Sequence, residues 1–242
     1  MANRILSIYF VVVCGLLLIP TLKAQENISN NWNTEKIRGT RLVPYPAANG
    51  DPYLTSKFLP GEIEFNDGVK IQDVGLRYSC YRDELIYFNK AISTQIVIDK
   101  VSLKSFSFID ENGAPRLFRK QYYDGFMSGF RFFEVLSDGG ISLLVYRKVG
   151  LLLCDVYLDD SGKQKNMSYQ KDYSYFFYSP KKGYTFVRIS KSSLLSKFDK
   201  TDQILVKKIL RKNRLTASDE ISFVKAWNLI KENGIKINLN NN

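Results

Sequence analysis

The chain contains no histidine. This absence excludes Ser-His-Asp and Cys-His nucleophilic catalysis, an imidazole general base and the usual zinc sites, all of which use histidine. Cysteine is scarce, with three residues, and no glycine-rich loop precedes a helix in a phosphate-binding pattern. The sequence therefore predicts neither a metal site nor a bound cofactor.

The remaining catalytic candidates are carboxylates, and their spacing does not suit a two-carboxylate site. Two adjacent pairs lie in or beside predicted turns, Asp83-Glu84 and Asp159-Asp160. Neighbouring side chains on a strand point to opposite faces, so neither pair brings two carboxylates together across a substrate. We therefore expect no catalytic residues and a protein that is not an enzyme.

Residues 1–24 have the pattern of a cleavable secretory signal peptide. A positively charged start is followed by an apolar run over residues 5–20 and by a small residue before the expected cut. A membrane anchor needs ~20 apolar residues, and Pro20 ends this run short of that length. A lipoprotein would acylate Cys14, but the apolar run continues past it. We expect a mature chain that begins near Gln25 and resides in the periplasm or at the outer membrane.

Two cysteines, Cys80 and Cys154, belong to the predicted mature chain. Each alternates with apolar residues on its own predicted strand, so both are expected on a buried face. Thiols in an oxidising compartment can pair, but burial in one core does not bring two Cα atoms within ~7 Å of each other. The sequence is therefore consistent with either a disulfide between Cys80 and Cys154 or two buried free thiols.

Positive charge is concentrated near the C terminus. The predicted mature chain has 33 basic and 24 acidic residues, and residues 181–214 alone carry a net charge of +9. Helical spacing in this segment places two apolar pairs beneath a basic face, Leu205 with Ile209 and Val206 with Leu210. It predicts one exposed basic stripe beside buried Leu205 and Ile209: Lys207, Lys208, Arg211 and Lys212. The stripe suits an anionic membrane surface, and a solvated helix face is the other interpretation. Because an exported chain rarely meets nucleic acid, we expect none as a partner.

Period-two alternation, cut by turn residues, dominates residues 61–189. Asp-Gly and Asn-Gly pairs supply the positive φ that tight hairpins require. Short strands without intervening helices predict a mainly β fold, an antiparallel sandwich or barrel-like sheet. Two of the predicted strands span residues 141–148 and 151–158. Residues 25–60 are rich in asparagine and proline, which predicts a poorly ordered leader.

The periodicity becomes helical after Ser190, so residues 190–234 predict a C-terminal helical appendage on the rim or open end of the sheet. Thr216 to Asp219 resemble a capping box at the start of the last helix. Asn233-Gly234 is typical of a helix end. Residues 235–242 are predicted to be a frayed tail.

Several predicted strands carry aromatic side chains on both faces. One interpretation is a face turned to an apolar ligand, and the other is core packing between two layers. The aromatic residues that would face such a ligand lie on two strands: Phe130, Phe132, Tyr173, Tyr175 and Phe177.

Three segments carry a resemblance to known sequences: Val74 to Leu85, Pro52 to Leu54, and Phe133 to Leu136. Together with the basic tail from Leu205 to Leu215, they resemble a broad group of uncharacterised exported proteins of the Bacteroidetes. The resemblance spans most of residues 50–233. It implies an exported compartment and this order of domains, and it implies no activity.

The pattern as a whole favours binding over catalysis. The first expectation is a non-catalytic, envelope-associated binding or structural protein, with an anionic membrane surface or another envelope protein as its partner. The alternative is a periplasmic carrier that holds a small apolar or lipid ligand against an aromatic face of the sheet. An apolar pocket would favour the carrier, and a filled core with a flat exposed patch would favour partner binding.

Overall fold

The computed structural model describes residues 37–125, 128–158, 160–162 and 164–239. The predicted signal peptide, Cys14 and residues 25–36 of the leader lie outside the described residues. Eleven strands are described: β1 (Gly39–Arg41), β2 (Leu59–Phe65), β3 (Lys70–Ser79), β4 (Glu84–Asn89), β5 (Thr94–Ile98), β6 (Leu103–Ile109), β7 (Pro115–Tyr123), β8 (Gly129–Ser137), β9 (Ser142–Leu158), β10 (Gln164–Ser179) and β11 (Gly183–Val187). Three helices follow: α1 (Lys191–Leu195), α2 (Lys200–Lys212) and α3 (Glu220–Glu232).

The strands form one antiparallel sheet in the order β1-β5-β4-β3-β2-β6-β7-β8-β9-β10-β11. The predicted fold class is confirmed: the protein is mainly β, with an antiparallel sheet and a C-terminal helical appendage. The sheet is open, but it folds back on itself. The backbone amide of Val149 in β9 donates to the carbonyl oxygen of Cys80 at the end of β3, at 3.0 Å, although four strands separate β3 from β9.

Hairpin turns follow the predicted chemistry at several positions. Gly68 and Gly113 adopt φ angles of 83° and 78° in the turns between β2 and β3 and between β6 and β7. The predicted break near residue 150 is absent. Gly150 is extended and pairs with Gln170 of β10, so the two predicted strands join in one long strand, Ser142–Leu158. Continuous pairing with β10 outweighs the weak strand preference of glycine.

Most of the buried apolar residues lie on one face of the sheet, where they form two groups. One core packs large side chains of the first eight strands, among them Ile63, Leu76, Tyr78, Phe106, Phe118 and Phe132. A second core lies under the helices, where Leu143, Phe177 and Val187 of the sheet meet Leu194, Phe198, Val206, Leu210, Phe223, Trp227 and Ile230. Burial of each such side chain contributes roughly 1.5–3 kcal/mol. The helical appendage is therefore an integral part of the fold.

Side-chain caps fix the start of each helix. Asp199 and Asp219 accept hydrogen bonds from the backbone amides of Asp202 and Ser222, both at 2.8 Å. The N-cap of α3 is thus Asp219, the last residue of the predicted capping box, and not its first residue, Thr216. Gly234, with a φ of 68°, follows the end of α3 as predicted.

The described part of the leader differs from the poorly ordered segment that the sequence predicts. Residues Gly39–Arg41 pair with β5, Asn49 bridges to Ser168 of β10, and Tyr53 bridges to Ser79 of β3. Aromatic and cation–π contacts hold the segment, including Arg77 3.6 Å above the Tyr53 ring. Prolines prevent a helix here, but they permit an extended chain that pairs along the sheet.

The C-terminal tail is also better packed than predicted through residue 239. The backbone amide of Asn238 donates to the carbonyl oxygen of Lys197 at 2.7 Å, and Leu239 is buried in the helical core. Residues 240–242 lie outside the described residues. Within the part of the chain that the structure describes, no helix has both the length and the apolar character needed to cross a lipid bilayer.

Candidate functional site

Strands β8 and β9 pair over only part of their lengths. Pairing runs from Ser137 opposite Leu143 to Glu134 opposite Val145. Beyond Glu134, β8 continues paired with β7 alone, and β9 continues paired with β10 alone. The two strands therefore separate and leave a gap in the sheet.

The turn between β3 and β4 occupies this gap. Its first residue, Cys80, accepts a hydrogen bond from the backbone amide of Val149 in β9. Its last residue, Asp83, accepts one from the backbone amide of Phe132 in β8, with an N–O distance of 3.3 Å. The turn thus supplies partners to both separated strands, which satisfies backbone groups that would otherwise be buried without a partner.

Asp83 holds the turn through its side chain. Its carboxylate is almost fully buried and accepts hydrogen bonds from the Tyr78 hydroxyl and from the Lys100 ammonium group, both at 2.6 Å. Burial raises the pKa of Asp83, and the charge of Lys100 and the hydrogen bonds from Lys100, Tyr78 and Phe132 oppose this rise. Because donors engage both oxygens, this carboxylate acts as an anchor and is not placed to exchange protons with a substrate.

A cleft of about 370 Å³ opens beside the turn. Its walls come from the turn and from one face of the four strands β7 to β10. The residues that line it are Tyr81, Arg82, Asp83, Tyr123, Arg131, Phe133, Tyr146, Lys148, Asp172, Ser174 and Phe176. The separation of β8 from β9 and the inserted turn together create this concave surface.

More basic than acidic side chains line the cleft. Arg82, Arg131 and Lys148 line it, and Asp172 lies 4.0 Å from Lys148 in an exposed ion pair. The other carboxylate, Asp83, is paired with Lys100. Exposed pairs at such a distance are weak. The cleft is therefore electropositive and suits an anionic group.

Aromatic rings form an apolar part of the same surface. Phe133 lies 5.8 Å from Tyr146 and 5.9 Å from Phe176 between ring centroids, and Tyr123 lies 5.4 Å from Phe176. Burial raises the pKa of Tyr146, so its hydroxyl stays protonated and can donate a hydrogen bond. Rings packed against one another form a stable apolar surface for part of a ligand.

The opposite face of β9 carries a buried ionic network. Arg147 donates to Glu134 at 2.6 Å and makes two hydrogen bonds of 2.8 Å to Glu220, the first residue of α3. Arg116 also donates to Glu134, at 3.0 Å. This network fixes α3 to the sheet directly behind the strand that presents Tyr146 and Lys148 to the cleft.

The geometry of the cleft supports binding by charge and apolar contact. Among the described residues, no group of three or more histidine, cysteine, aspartate and glutamate side chains is arranged to hold a metal ion. The cleft instead combines cationic donors with packed aromatic rings, which together match a molecule with an anionic group and an apolar body.

The structure corrects the predicted ligand-facing aromatic residues. Phe132 and Phe177 are fully buried in the two cores. Tyr175 donates its hydroxyl to Glu220 at 2.8 Å, and Tyr173 lies beneath Arg147. Phe130 is 54% exposed and lies outside this cleft, where it lines a separate groove of about 510 Å³.

The physical reason is that helix α3 covers one face of β10. Alternation along the strand places Tyr173, Tyr175 and Phe177 on that covered face. Ser174 and Phe176, on the other face, line the cleft. The alternation predicts two aromatic faces, but it does not indicate which one a distant helix covers.

Cys80 and Cys154, the two cysteines within the described part of the chain, are free thiols. Cys80 is buried, and burial raises the pKa of its thiol to about 12. Cys154 is partly exposed, in contrast to the expected burial. It lies five residues beyond Val149, the partner of Cys80, and a strand rises ~3.3 Å per residue. That spacing far exceeds the reach of a disulfide.

The predicted basic stripe lies on α2, and its four members are exposed: Lys207, Lys208, Arg211 and Lys212. The buried side of the helix agrees with the prediction for one apolar pair only, because Val206 and Leu210 pack into the core. Leu205 is 46% exposed, and Ile209 is only partly buried. Both pairs have the same helical spacing, so periodicity alone does not distinguish them.

Sequence reasoning missed the residues that form the basic part of the cleft: Arg82, Arg131 and Lys148. The only local signal is the polar turn Arg82-Asp83 between two apolar strands. The cleft is assembled from residues that are far apart in the chain, and strand order is needed to bring them together. Comparison with family models, curated proteins and solved structures finds no match for this chain.

Proposed function

We propose that this protein is an exported, non-catalytic binding protein that holds a small amphiphilic anion in the cleft. The ligand class is a molecule with an apolar or aromatic body and one acidic group. The observation that carries the proposal is the presence in one cleft of Arg82, Arg131 and Lys148 beside packed aromatic rings. The acidic group would pair with the cations, and the body would lie on the rings.

The size and stiffness of the cleft support this proposal. A volume of about 370 Å³ lies within the range of small-molecule sites, ~300–1,000 Å³. The ion pair between buried Asp83 and partly exposed Lys100 fixes one wall, and the paired strands β9 and β10 fix another. A preformed site binds more tightly because less conformational freedom is lost on binding.

The compartment and the absence of catalysis are parts of the same proposal. The signal-peptide pattern of residues 1–24 supports export to the periplasm or the outer membrane. The absence of histidine and the engagement of both Asp83 oxygens support binding without chemical conversion.

The test uses anilinonaphthalene sulfonate, a fluorescent probe with an aromatic body and one sulfonate, titrated into the mature chain of residues 25–242. We expect saturable binding to one site. The double variant Arg82→Gln/Lys148→Gln should bind about tenfold more weakly, since it loses charge-assisted hydrogen bonds worth roughly 1 kcal/mol or more. The matched control, Lys57→Gln/Lys90→Gln, makes the same charge change away from the cleft and should bind like the wild type.

Competition resolves the chemical class of the ligand. Octanoate should displace the probe more effectively than 1-octanol, because only the carboxylate of octanoate forms ion pairs with the basic side chains of the cleft. Equal affinities for the cleft variant and the control would contradict the proposal. If the wild-type chain shows no saturable binding, the proposal fails, and a structural role in the envelope becomes the better interpretation.

A further inference from the structure

The outward face of α2 combines cations with large aliphatic side chains. Eight of its thirteen residues are exposed, and they lie within an arc of roughly 160°. These residues are Lys200, Thr201, Ile204, Leu205, Lys207, Lys208, Arg211 and Lys212. Five of them are basic and none is acidic.

The aliphatic members of this face are strongly exposed. Ile204 and Leu205 are 67% and 46% accessible to solvent, although they are neighbours on the helix. Leu205 also borders a shallow groove of about 380 Å³ whose other lining residues are Lys208, Ile209, Lys212, Asn233 and Ile235. A helix that faces only water normally presents polar residues on its outer side. Here the outer side offers apolar contact and positive charge together.

We propose that the outward face of α2 docks the protein on the surface of an anionic phospholipid bilayer. The helix would lie parallel to the surface, with Ile204 and Leu205 entering the headgroup region and the five cations meeting lipid phosphates. Charge complementarity identifies the partner, because this arc holds no acidic residue. A nucleic acid would match the charge, but it would leave both aliphatic side chains against a polar backbone.

This docking surface is separate from the cleft. None of the eight outward residues of α2 lines the cleft, and none of the residues that line the cleft belongs to α2. The inference therefore does not rest on the proposed function. It adds an interaction surface that would hold the binding site at a membrane.

The test is flotation of the mature chain with phosphatidylcholine vesicles, with and without phosphatidylglycerol, across a sodium chloride series. The wild type should float only with the anionic vesicles, and salt should release it as the Debye length shortens. The charge variant should bind at least about tenfold more weakly. It carries four substitutions: Lys207→Gln, Lys208→Gln, Arg211→Gln and Lys212→Gln. The control carries the same charge change elsewhere and should bind like the wild type: Arg38→Gln, Arg41→Gln, Lys57→Gln and Lys90→Gln.

A second pair of variants tests the apolar contribution. Ile204→Ser/Leu205→Ser should weaken binding about fivefold at every salt concentration. The control Ile92→Ser/Val101→Ser removes two other exposed aliphatic side chains and should have no effect. Equal binding to neutral and anionic vesicles would overturn the proposal. The proposal would also fail if each α2 variant bound vesicles as tightly as its control. Sedimentation of the protein without vesicles would likewise contradict it, by showing that this face associates with a second copy of the chain.

Discussion

Asp83 combines a left-handed backbone conformation with a buried carboxylate. Its φ is 57°, and its side chain receives hydrogen bonds from Tyr78, Lys100 and the backbone of Phe132. Aspartate tolerates this conformation better than most residues. One residue therefore sets both the path of the turn and the position of one cleft wall.

We predict that Asp83→Ala lowers the free energy of unfolding by about 3 kcal/mol. The substitution leaves the Tyr78 hydroxyl and the Phe132 amide without their buried acceptor and removes the partner of Lys100. Urea unfolding followed by fluorescence measures the change. Asp73→Ala is the matched control, because Asp73 has a similar φ of 53° but is exposed. A loss of less than ~1 kcal/mol is expected there.

An intermediate result is expected for Asp83→Asn. The amide keeps the left-handed preference and one acceptor oxygen, but it removes the charge that pairs with Lys100. Equal losses for Asp83→Ala and Asp73→Ala would show that backbone conformation, and not the buried carboxylate, accounts for the effect.

The sequence predicts a turn at Asp83 but not its burial. The turn follows from polar residues between two apolar strands, which is local information. Burial depends on Lys100 and Phe132, which come from other parts of the chain. The same limit applies to α2. The helical period is a local signal, but which side of the helix is buried depends on contacts of Val206 with residues far away in the chain.

At the scale of elements, the Arg147 network attaches α3 to the sheet. Arg147 is buried and lies between Glu134, on the neighbouring strand β8, and Glu220, at the start of the helix. The helix start also favours an acidic residue, since unpaired backbone amides and the helix dipole are positive there. The sequence predicts the helix but not its attachment to the sheet, because Arg147 and Glu220 are 73 residues apart in the chain.

We predict that Glu220→Gln lowers the free energy of unfolding by about 2 kcal/mol near neutral pH, because Arg147 loses one of its two carboxylate partners in a buried site. Glu232→Gln, at the exposed other end of α3, is the control and should change stability by less than ~0.5 kcal/mol. Thermal unfolding measures both variants.

The effect of Glu220→Gln should depend on pH in a definite direction. Burial alone raises the pKa of Glu220, but the hydrogen bonds and charge of Arg147 outweigh it, so the pKa is lowered in the folded chain. Its stabilisation is therefore complete above the unfolded value of ~4.3 and is lost as the pH falls through the folded value. The difference between wild type and variant should shrink below about pH 4.3. A constant difference down to strong acid would contradict this account.

At the scale of the whole molecule, the sheet is joined to itself where Cys80 meets Val149. This contact links β3 to β9 across four intervening strands. The thiol of Cys80 is buried at the junction, whereas Cys154 is partly exposed on the long hairpin of β9 and β10. The two thiols thus report on different parts of the protein.

We predict that Cys80 reacts with a thiol reagent only through global unfolding. In a Cys154→Ser chain, the opening free energy from the labelling rate should match the free energy of unfolding in urea within ~1 kcal/mol. In a Cys80→Ser chain, Cys154 should react readily without denaturant. Fast labelling of Cys80 in the folded protein would instead show that the junction opens locally.

The sequence predicts the class of this molecule better than its arrangement. Alternation and Asp-Gly and Asn-Gly turns predict antiparallel strands, and the change of period predicts the terminal helices, because all of these are local signals. The return of the sheet at Cys80 and the packing of residues 37–60 along it are not local. Nothing in the run from Pro44 to Pro60 indicates that Asn49 bridges to Ser168.

The gap between β8 and β9 has a kinetic consequence for the newly made chain. Each neighbouring hairpin can form from residues close in sequence, but the turn that fills the gap must reach Val149 from Cys80, 69 residues away. Closing so long a loop is slow and entropically costly. Until it closes, two strand edges carry unpaired amide and carbonyl groups, which are templates for aggregation. Rapid docking of the turn between β8 and β9 would therefore protect the folding chain from aggregation as well as complete the cleft.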